Sequence, residues 1–156
     1  MVTEAPHPVP GWARGWHLAT FVVAVAGLLL QLWLSATHPL YPGRYSTPIL
    51  LWNVLSYFTV WSNIVVAVAC WLLFRDQTRR GPGFAPFRLA GLTMITVTGL
   101  IYGIVLARLW QPVAWYKVAD QTLHYLVPAL AVPGYLLFGP RPLFSPGTLA
   151  RSLLVR

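Results

Sequence analysis

The sequence predicts an all-α protein, a polytopic transmembrane helical bundle with four spans in a single integral membrane domain of residues 1–156. Hydrophobic residues make up 57% of the chain and charged residues only 9%, whereas soluble domains average about a quarter charged residues. The apolar residues also fall into four runs, each close to the ~20 residues that a helix needs to cross a bilayer. A soluble core of this size would not hide so much apolar surface.

The four predicted spans are separated by short gaps rich in proline and glycine, which end helices. They cover residues 18–36, 49–74, 87–109 and 118–138. The first run is longer than the apolar core of an ordinary signal peptide, and three further runs follow it, so we expect it to be retained. Tryptophans fall near the predicted span ends, as an interfacial aromatic belt requires. These are Trp12, Trp16, Trp52, Trp71, Trp110 and Trp115.

Basic residues are distributed unevenly among the predicted gaps. The N-terminal segment, the second gap and a short tail over 141–156 together hold eight, and the first and third gaps hold three. Cytoplasmic loops carry an excess of Lys and Arg, so we expect a cell-membrane protein with both termini in the cytoplasm. The net charge of +8 forms no basic stripe with interleaved aromatics, which argues against nucleic acid as a partner. Membrane lipids are the expected partners.

The sequence gives no indication of a metal or a cofactor. Its single cysteine, Cys70, lies within an apolar run and has no His or Cys neighbour at a metal-ligand spacing. We therefore expect a small apolar packing residue there. The chain also lacks a Gly-x-Ser-x-Gly elbow and a His-Glu-x-x-His zinc motif, which excludes the commoner hydrolase solutions.

Polar side chains inside the second run are candidates for function, because such groups are costly within a bilayer. On a continuous helix, four of them would fall within an arc of about 120°. They are Asn53, Ser56, Thr59 and Asn63. One interpretation of this stripe is hydrogen bonding between helices. The other is a binding or catalytic site.

The fourth span carries two ionisable residues, Asp120 and His124, four positions apart on one helix face. A carboxylate beside an imidazole fixes the tautomer of the ring and raises its basicity, which is how a general base is oriented. The alternative for Asp120 is a cap at the helix start, where its charge suits the helix dipole. Pro128 has no N–H for the carbonyl of His124, so we expect a kink there.

The third span carries a stripe of small residues. Gly91, Gly99 and Gly103 recur at intervals of eight and four residues and include one Gly-x-x-x-Gly motif. This spacing predicts the close approach of a neighbouring helix. Tyr102 is expected to add a hydrogen bond to the interior.

In order and spacing, several segments resemble the prokaryotic branch of the androgen-induced and androgen-dependent membrane proteins. These segments are residues 57–63, 97–103, 120–128 and 137–141. Animal members of this family are intramembrane threonine hydrolases that cleave fatty-acid esters of hydroxy fatty acids. The resemblance covers most of the chain and implies a nucleophile at Thr59, a base at His124 and a lipid-ester substrate.

Further roles follow for the neighbouring polar residues if the site is catalytic. Asp120 would orient His124, and Ser62 and Asn63 are candidate donors to an oxyanion. The family normally has six spans and this chain shows four, so we expect a site that is open on one side, a homo-oligomer that closes the site, or an inactive shortened relative. The alternative is a non-catalytic membrane protein, such as a small transporter subunit, a ligand-binding protein or a scaffold. Transport is disfavoured because only one predicted span is broken by proline.

Overall fold

A computed structural model of the chain describes residues 10–40, 42–81 and 83–138. The regular elements in these ranges are all helical, as predicted. The first helices are α1 (Trp12–Thr37), α2 (Thr47–Leu55), α3 (Phe58–Arg75) and α4 (Phe84–Ile101), and α4 continues through the π-helical segment π1 (Tyr102–Leu106) into α5 (Ala107–Leu109). The last stretch consists of α6 (Ala114–Gln121), π2 (Thr122–Leu126) and α7 (Val127–Phe138). The tail predicted at 141–156 lies outside the described residues.

Three helical stretches are long and apolar enough to cross a bilayer. They are Trp12–Thr37, Phe58–Arg75 and Phe84–Leu109. Large apolar side chains such as Leu29 and Ile104 are exposed on their outer faces, where lipid is a better solvent than water. The described residues are therefore compatible with an all-helical membrane protein.

The predicted second span, 49–74, is not one continuous helix. The backbone leaves helical geometry at Tyr57 (φ −76°, ψ 132°), between α2 and α3. The hydroxyl of Ser56 donates to a backbone carbonyl one turn earlier (2.7 Å), and such bonds compete with the helical ladder. The indole N–H of Trp61 donates to the Leu55 carbonyl (2.8 Å), which a continuous helix would use for its own ladder. Local side-chain hydrogen bonds therefore stabilise the break.

The break removes two members from the predicted polar stripe. Asn53 and Ser56 lie in and just after α2 and are exposed, whereas Thr59 is half-buried and Asn63 is fully buried in α3. The prediction of a four-residue stripe was wrong because it assumed one helical register across Tyr57. Thr59 is instead the second residue of α3.

Antiparallel packing collects basic residues at one end of the bundle. Near the start of α1, Arg14 donates from Nε to the carbonyl of Phe74 near the end of α3 (3.0 Å). Trp12 packs edge-on against Phe138 at the end of α7, with ring centroids 4.4 Å apart. We call this end the basic end. Its basic residues are Arg14, Arg75, Arg79, Arg80 and Arg88.

The core lies between α1, α3, α4 and α7. Its buried cluster consists of Ala24, Val66, Ala67, Cys70, Ile95 and Val127. Cys70 is a buried free thiol within this cluster, which agrees with its predicted packing position. Polar side chains lie on both sides of this level, since Arg88 precedes Ile95 in α4 and Thr98 follows it. The bundle therefore holds two separate polar regions.

The three glycines of the predicted small-residue stripe approach different neighbours. A Cβ at Gly91 would lie 2.9 Å from Cγ1 of Val65 in α3. A Cβ at Gly99 would lie 3.2 Å from Cβ of Pro128 in α7, whereas one at Gly103 would meet its nearest neighbour at 3.7 Å. The approach is tight at the first two positions and ordinary at the third.

Candidate active site

Thr59 and His124 meet in the half of the bundle remote from the basic end. Thr59 Oγ1 lies 3.1 Å from His124 Nε2, although the two residues are 65 positions apart in the chain. This is hydrogen-bond distance. Thr59 is held in the first turn of α3 by the break that precedes it, and His124 lies in π2.

Asp120 holds the other ring nitrogen of His124. Nδ1 lies 2.9 Å from the main-chain carbonyl oxygen of Asp120 and 3.3 Å from its carboxylate Oδ1. Both oxygens are acceptors, so Nδ1 carries a proton. In its neutral form, such a ring presents an unprotonated Nε2 that accepts from the hydroxyl of Thr59. A general base needs this arrangement.

The carboxylate of Asp120 is fixed in turn by Tyr102. Asp120 is 7% exposed and lies within α6 rather than at its start, so it does not cap the helix. The hydroxyl of Tyr102 donates to Asp120 Oδ2. The Tyr102 ring also stacks on the imidazole of His124, with centroids 4.0 Å apart and planes inclined by 24°. We call the connected residues Tyr102, Asp120, His124 and Thr59 the relay.

Both π-helical segments lie at the level of the relay. Tyr102 opens π1, and His124 is the central residue of π2. Pro128 is a local cause of π2, because it has no N–H to donate to the carbonyl of His124. The N–H of Val127 bonds five residues back, to the carbonyl of Thr122. The helix therefore has a widened turn at the position where the kink is expected, and such turns occur frequently at functional sites.

Ser62 and Asn63 lie one turn along α3 from Thr59, and both side chains are fully buried. The hydroxyl of Ser62 lies 2.9 Å from both the Thr59 carbonyl and the hydroxyl of Thr98. Asn63 Nδ2 donates to the carbonyls of Thr59 (2.8 Å) and Leu123 (3.2 Å). These side chains join α3 to α4 and π2, so their donors are already engaged. The interhelical interpretation of the polar stripe applies to Asn63, and Ser62 beside it makes an interhelical bond of the same kind.

The first turn of α3 offers donors to an oxyanion. The first N–H groups of a helix have no acceptor within that helix. At α3, the N–H groups of Val60 and Trp61 reach the carbonyl of Tyr57 (3.0 and 3.4 Å). Those of Phe58 and Thr59 precede them and lie at the positive end of the helix dipole. The assumption of a continuous second span concealed these donors.

The relay opens toward an apolar surface. The side chain of His124 is 16% exposed, and Phe58 and Tyr125 beside the relay are 51% and 44% exposed. In a bilayer this surface would face acyl chains. Within the residues that the structure describes, no group of three His, Cys, Asp or Glu side chains is placed to hold a metal ion.

Three of the predicted site residues, Thr59, Asp120 and His124, are brought together in one place. The sequence predicted an interior hydrogen bond for Tyr102 but not its partner. Its position between Gly99 and Gly103 could have indicated that its partner lies on a neighbouring helix, because small residues mark the face of α4 that contacts another helix. Comparisons of the chain with protein-family models, curated proteins and solved structures find no match.

Proposed function

We propose that the protein is a four-span protein of the cell membrane that hydrolyses lipid esters, with Thr59 as nucleophile and His124 as general base. The observation that carries the proposal is the 3.1 Å contact between Thr59 Oγ1 and an imidazole whose other nitrogen is bonded to Asp120. A threonine hydroxyl is a weak nucleophile until a base takes its proton. The relay supplies that base in the correct tautomer.

In this proposal, residues 114–138 form the fourth span. The three consecutive segments contain 8, 5 and 12 residues, about 37 Å of helix at 1.5 Å per residue. This length crosses a bilayer. Asp120 and His124 lower the mean hydropathy of residues 114–138. Both side chains are hydrogen-bonded to other residues of the relay, so neither needs to face lipid. By the positive-inside rule, the basic end lies on the cytoplasmic side, and the same rule applied to the sequence predicts both termini there.

Acylation begins with an ester carbonyl against Thr59 Oγ1. Oγ1 attacks the carbonyl carbon and forms a new C–O bond while its proton passes to His124 Nε2. The N–H groups of Phe58 and Thr59 donate to the oxyanion that forms. When the intermediate collapses, the ester C–O bond breaks and the alcohol leaves with the proton from Nε2. The acyl group remains on Thr59.

Deacylation uses the same groups with water as the nucleophile. Water attacks the acyl carbon and gives a proton to His124 Nε2, and collapse returns that proton to Thr59 Oγ1 and releases the carboxylic acid. An imidazolium forms transiently in both halves of the reaction. The Asp120 carboxylate, 3.3 Å from Nδ1, stabilises this cation. Tyr102 holds the carboxylate in position.

The proposal includes membership of the prokaryotic branch of the androgen-induced and androgen-dependent membrane proteins. Its support is that segments 57–63 and 120–128 of the resemblance contribute Thr59 and His124, which lie in contact. Membrane lipids are then both the surroundings and the source of substrate.

A second candidate function is a non-catalytic one, in which the polar groups hold the helices together. The bonds that Ser62 and Asn63 make between helices favour it. The two candidates differ in what Thr59 does. If Thr59 only joins helices, its replacement would lower the stability of the protein and would not affect any ester hydrolysis.

Hydrolysis of long-chain fatty-acid esters by the purified protein in lipid nanodiscs tests the proposal. Thr59→Ala should lower the rate by more than about a hundredfold, whereas Thr59→Ser should keep part of it because the hydroxyl survives. Thr93→Ala is the matched control, because the exposed Thr93 donates to the Leu89 carbonyl of its own helix (3.0 Å). Equal rates for wild type and Thr59→Ala, or no hydrolysis by the wild type across a series of acyl chain lengths, would favour the non-catalytic function.

A further inference from the structure

We propose a second site, at the basic end, where Arg88 binds the carboxylate of a fatty acid. A cavity of about 30 Å³ lies between α1, α3, α4 and α7. Its polar lining includes His17, Cys70, Arg88 and Tyr135. The site lies on the opposite side of the core from the relay and does not depend on chemistry at Thr59.

Arg88 is the group that requires an anion. It is only 7% exposed, and its Nη1 is buried without a hydrogen-bond partner. Its Cζ lies 4.5 Å from the centroid of the Tyr135 ring, a cation–π contact that supports one face of the guanidinium. That contact involves the face of the guanidinium and supplies no acceptor for Nη1, which lies in its plane. A buried charge is costly unless it is both paired and hydrogen-bonded.

The described residues offer Arg88 no carboxylate. Asp76 accepts hydrogen bonds from the N–H and hydroxyl of Thr78 at the surface (3.0 and 2.6 Å). Asp120 belongs to the relay. The third acidic residue, Glu4, lies outside the described ranges. The two oxygens of a carboxylate match the planar fork of a guanidinium, so this anion suits Arg88 best.

The dimensions and walls of the cavity define the ligand class. On the same measure of cavity volume, one water molecule needs about 10–15 Å³. The cavity of about 30 Å³ therefore takes roughly two oxygen-sized atoms. A carboxylate head has this size, whereas a tetrahedral phosphate is larger. Val66, Leu92 and Leu130 provide apolar wall that suits the adjoining methylene groups. A fatty acid in the bilayer supplies both parts, whereas a soluble carboxylate supplies only the head.

Oleate binding to the purified protein in nanodiscs tests this site. Acetate, which lacks the chain, and oleyl alcohol, which lacks the charge, are the matched probes. Arg88→Gln should weaken oleate binding by at least about tenfold, since it removes a charged hydrogen-bond partner. Arg80→Gln removes the same charge from an exposed residue of the basic end and should leave the oleate affinity unchanged.

A second variant keeps the test decisive if Arg88→Gln unfolds. Ala131 lines the cavity, and Ala131→Leu fills part of it while leaving Arg88 in place, so it should also weaken oleate binding. Thermal unfolding without ligand identifies which variants are folded. If Arg88→Gln or Ala131→Leu is folded and binds oleate as tightly as the wild type does, the proposal is overturned. Equal affinity of the wild type for oleate and oleyl alcohol also overturns it. Competition by acetate at oleate-like concentrations would support a carboxylate site and overturn its membrane source.

Discussion

The two polar regions of this bundle lie on opposite sides of one apolar core and differ in how their ionisable groups are satisfied. In the relay, Tyr102 bonds to Asp120, and His124 bonds to both Asp120 and Thr59. At the basic end, Arg88 is equally buried, but its Nη1 has no partner. A connected network orients groups that are already present, whereas an unpaired buried donor favours the binding of a ligand. The difference suggests chemistry in one region and binding in the other.

The largest expected effect separates the two regions. His124→Ala should lower ester hydrolysis by about 10²–10⁴-fold, because it removes the general base, and should leave oleate binding unchanged. Arg88→Gln should weaken oleate binding and leave the rate of ester hydrolysis unchanged. Initial rates and oleate affinity measured on the same preparations check both. If each variant lowered both quantities by similar factors, the two regions would not be independent.

A smaller effect is expected inside the relay. Asp120→Asn removes the charge that stabilises the imidazolium, and hydrolysis should fall by about 10–100-fold, less than for His124→Ala. Tyr102→Phe removes one bond to the carboxylate and should reduce the rate by about tenfold or less. Steady-state kinetics on variants with wild-type unfolding temperatures gives this order. A larger loss for Tyr102→Phe than for Asp120→Asn would contradict the assigned roles.

Much of the fold could be predicted from the sequence, because a bilayer requires long apolar helices and the run lengths report them directly. The break before α3 could not be predicted in this way. It depends on where the hydroxyl of Ser56 and the indole of Trp61 point, and periodicity does not encode these directions. The error mattered, because the break places Thr59 in a first helical turn, whose opening N–H groups have no acceptor within the helix.

The two polar regions were predictable to different degrees. Thr59, Asp120 and His124 stood out as polar groups in apolar runs, and the family resemblance named two of them. Arg88 was counted only as a topology signal near a gap, because sequence alone does not reveal that its guanidinium is buried. Its burial depends on how α4 packs against α7, where the ring of Tyr135 lies beside it.

Close helix contacts were also only partly predictable. The stripe of α4 indicated Gly99, whereas Gly27 and Gly134 were not predicted, because neither has another glycine four residues away. A Cβ at Gly27 would lie 2.9 Å from Leu123 Cδ2, and one at Gly134 would lie 2.7 Å from Trp16 Nε1. How closely two helices approach at a glycine depends on the side chains of the partner helix. The spacing of glycines within one helix does not specify those side chains.

The smallest expected effect concerns the packing that supports the relay. Gly99→Leu should destabilise the protein by about 1–3 kcal/mol, because its side chain would overlap Pro128 next to π2. Gly103→Ala is the matched control and should be nearly neutral, since its Cβ would meet only an ordinary contact. Thermal unfolding in one detergent compares the two. Equal unfolding temperatures for Gly99→Leu and the wild type would argue that α4 does not approach α7 closely here.

The central claim, that Thr59 is a nucleophile activated by His124, is tested most directly by locating a covalent adduct. The purified protein is treated with a long-chain fluorophosphonate, digested and sequenced by mass spectrometry. The adduct should lie on Thr59 and be absent from His124→Ala, while Thr93→Ala labels like the wild type. An adduct on another residue, or labelling that persists in Thr59→Ala, would contradict the claim.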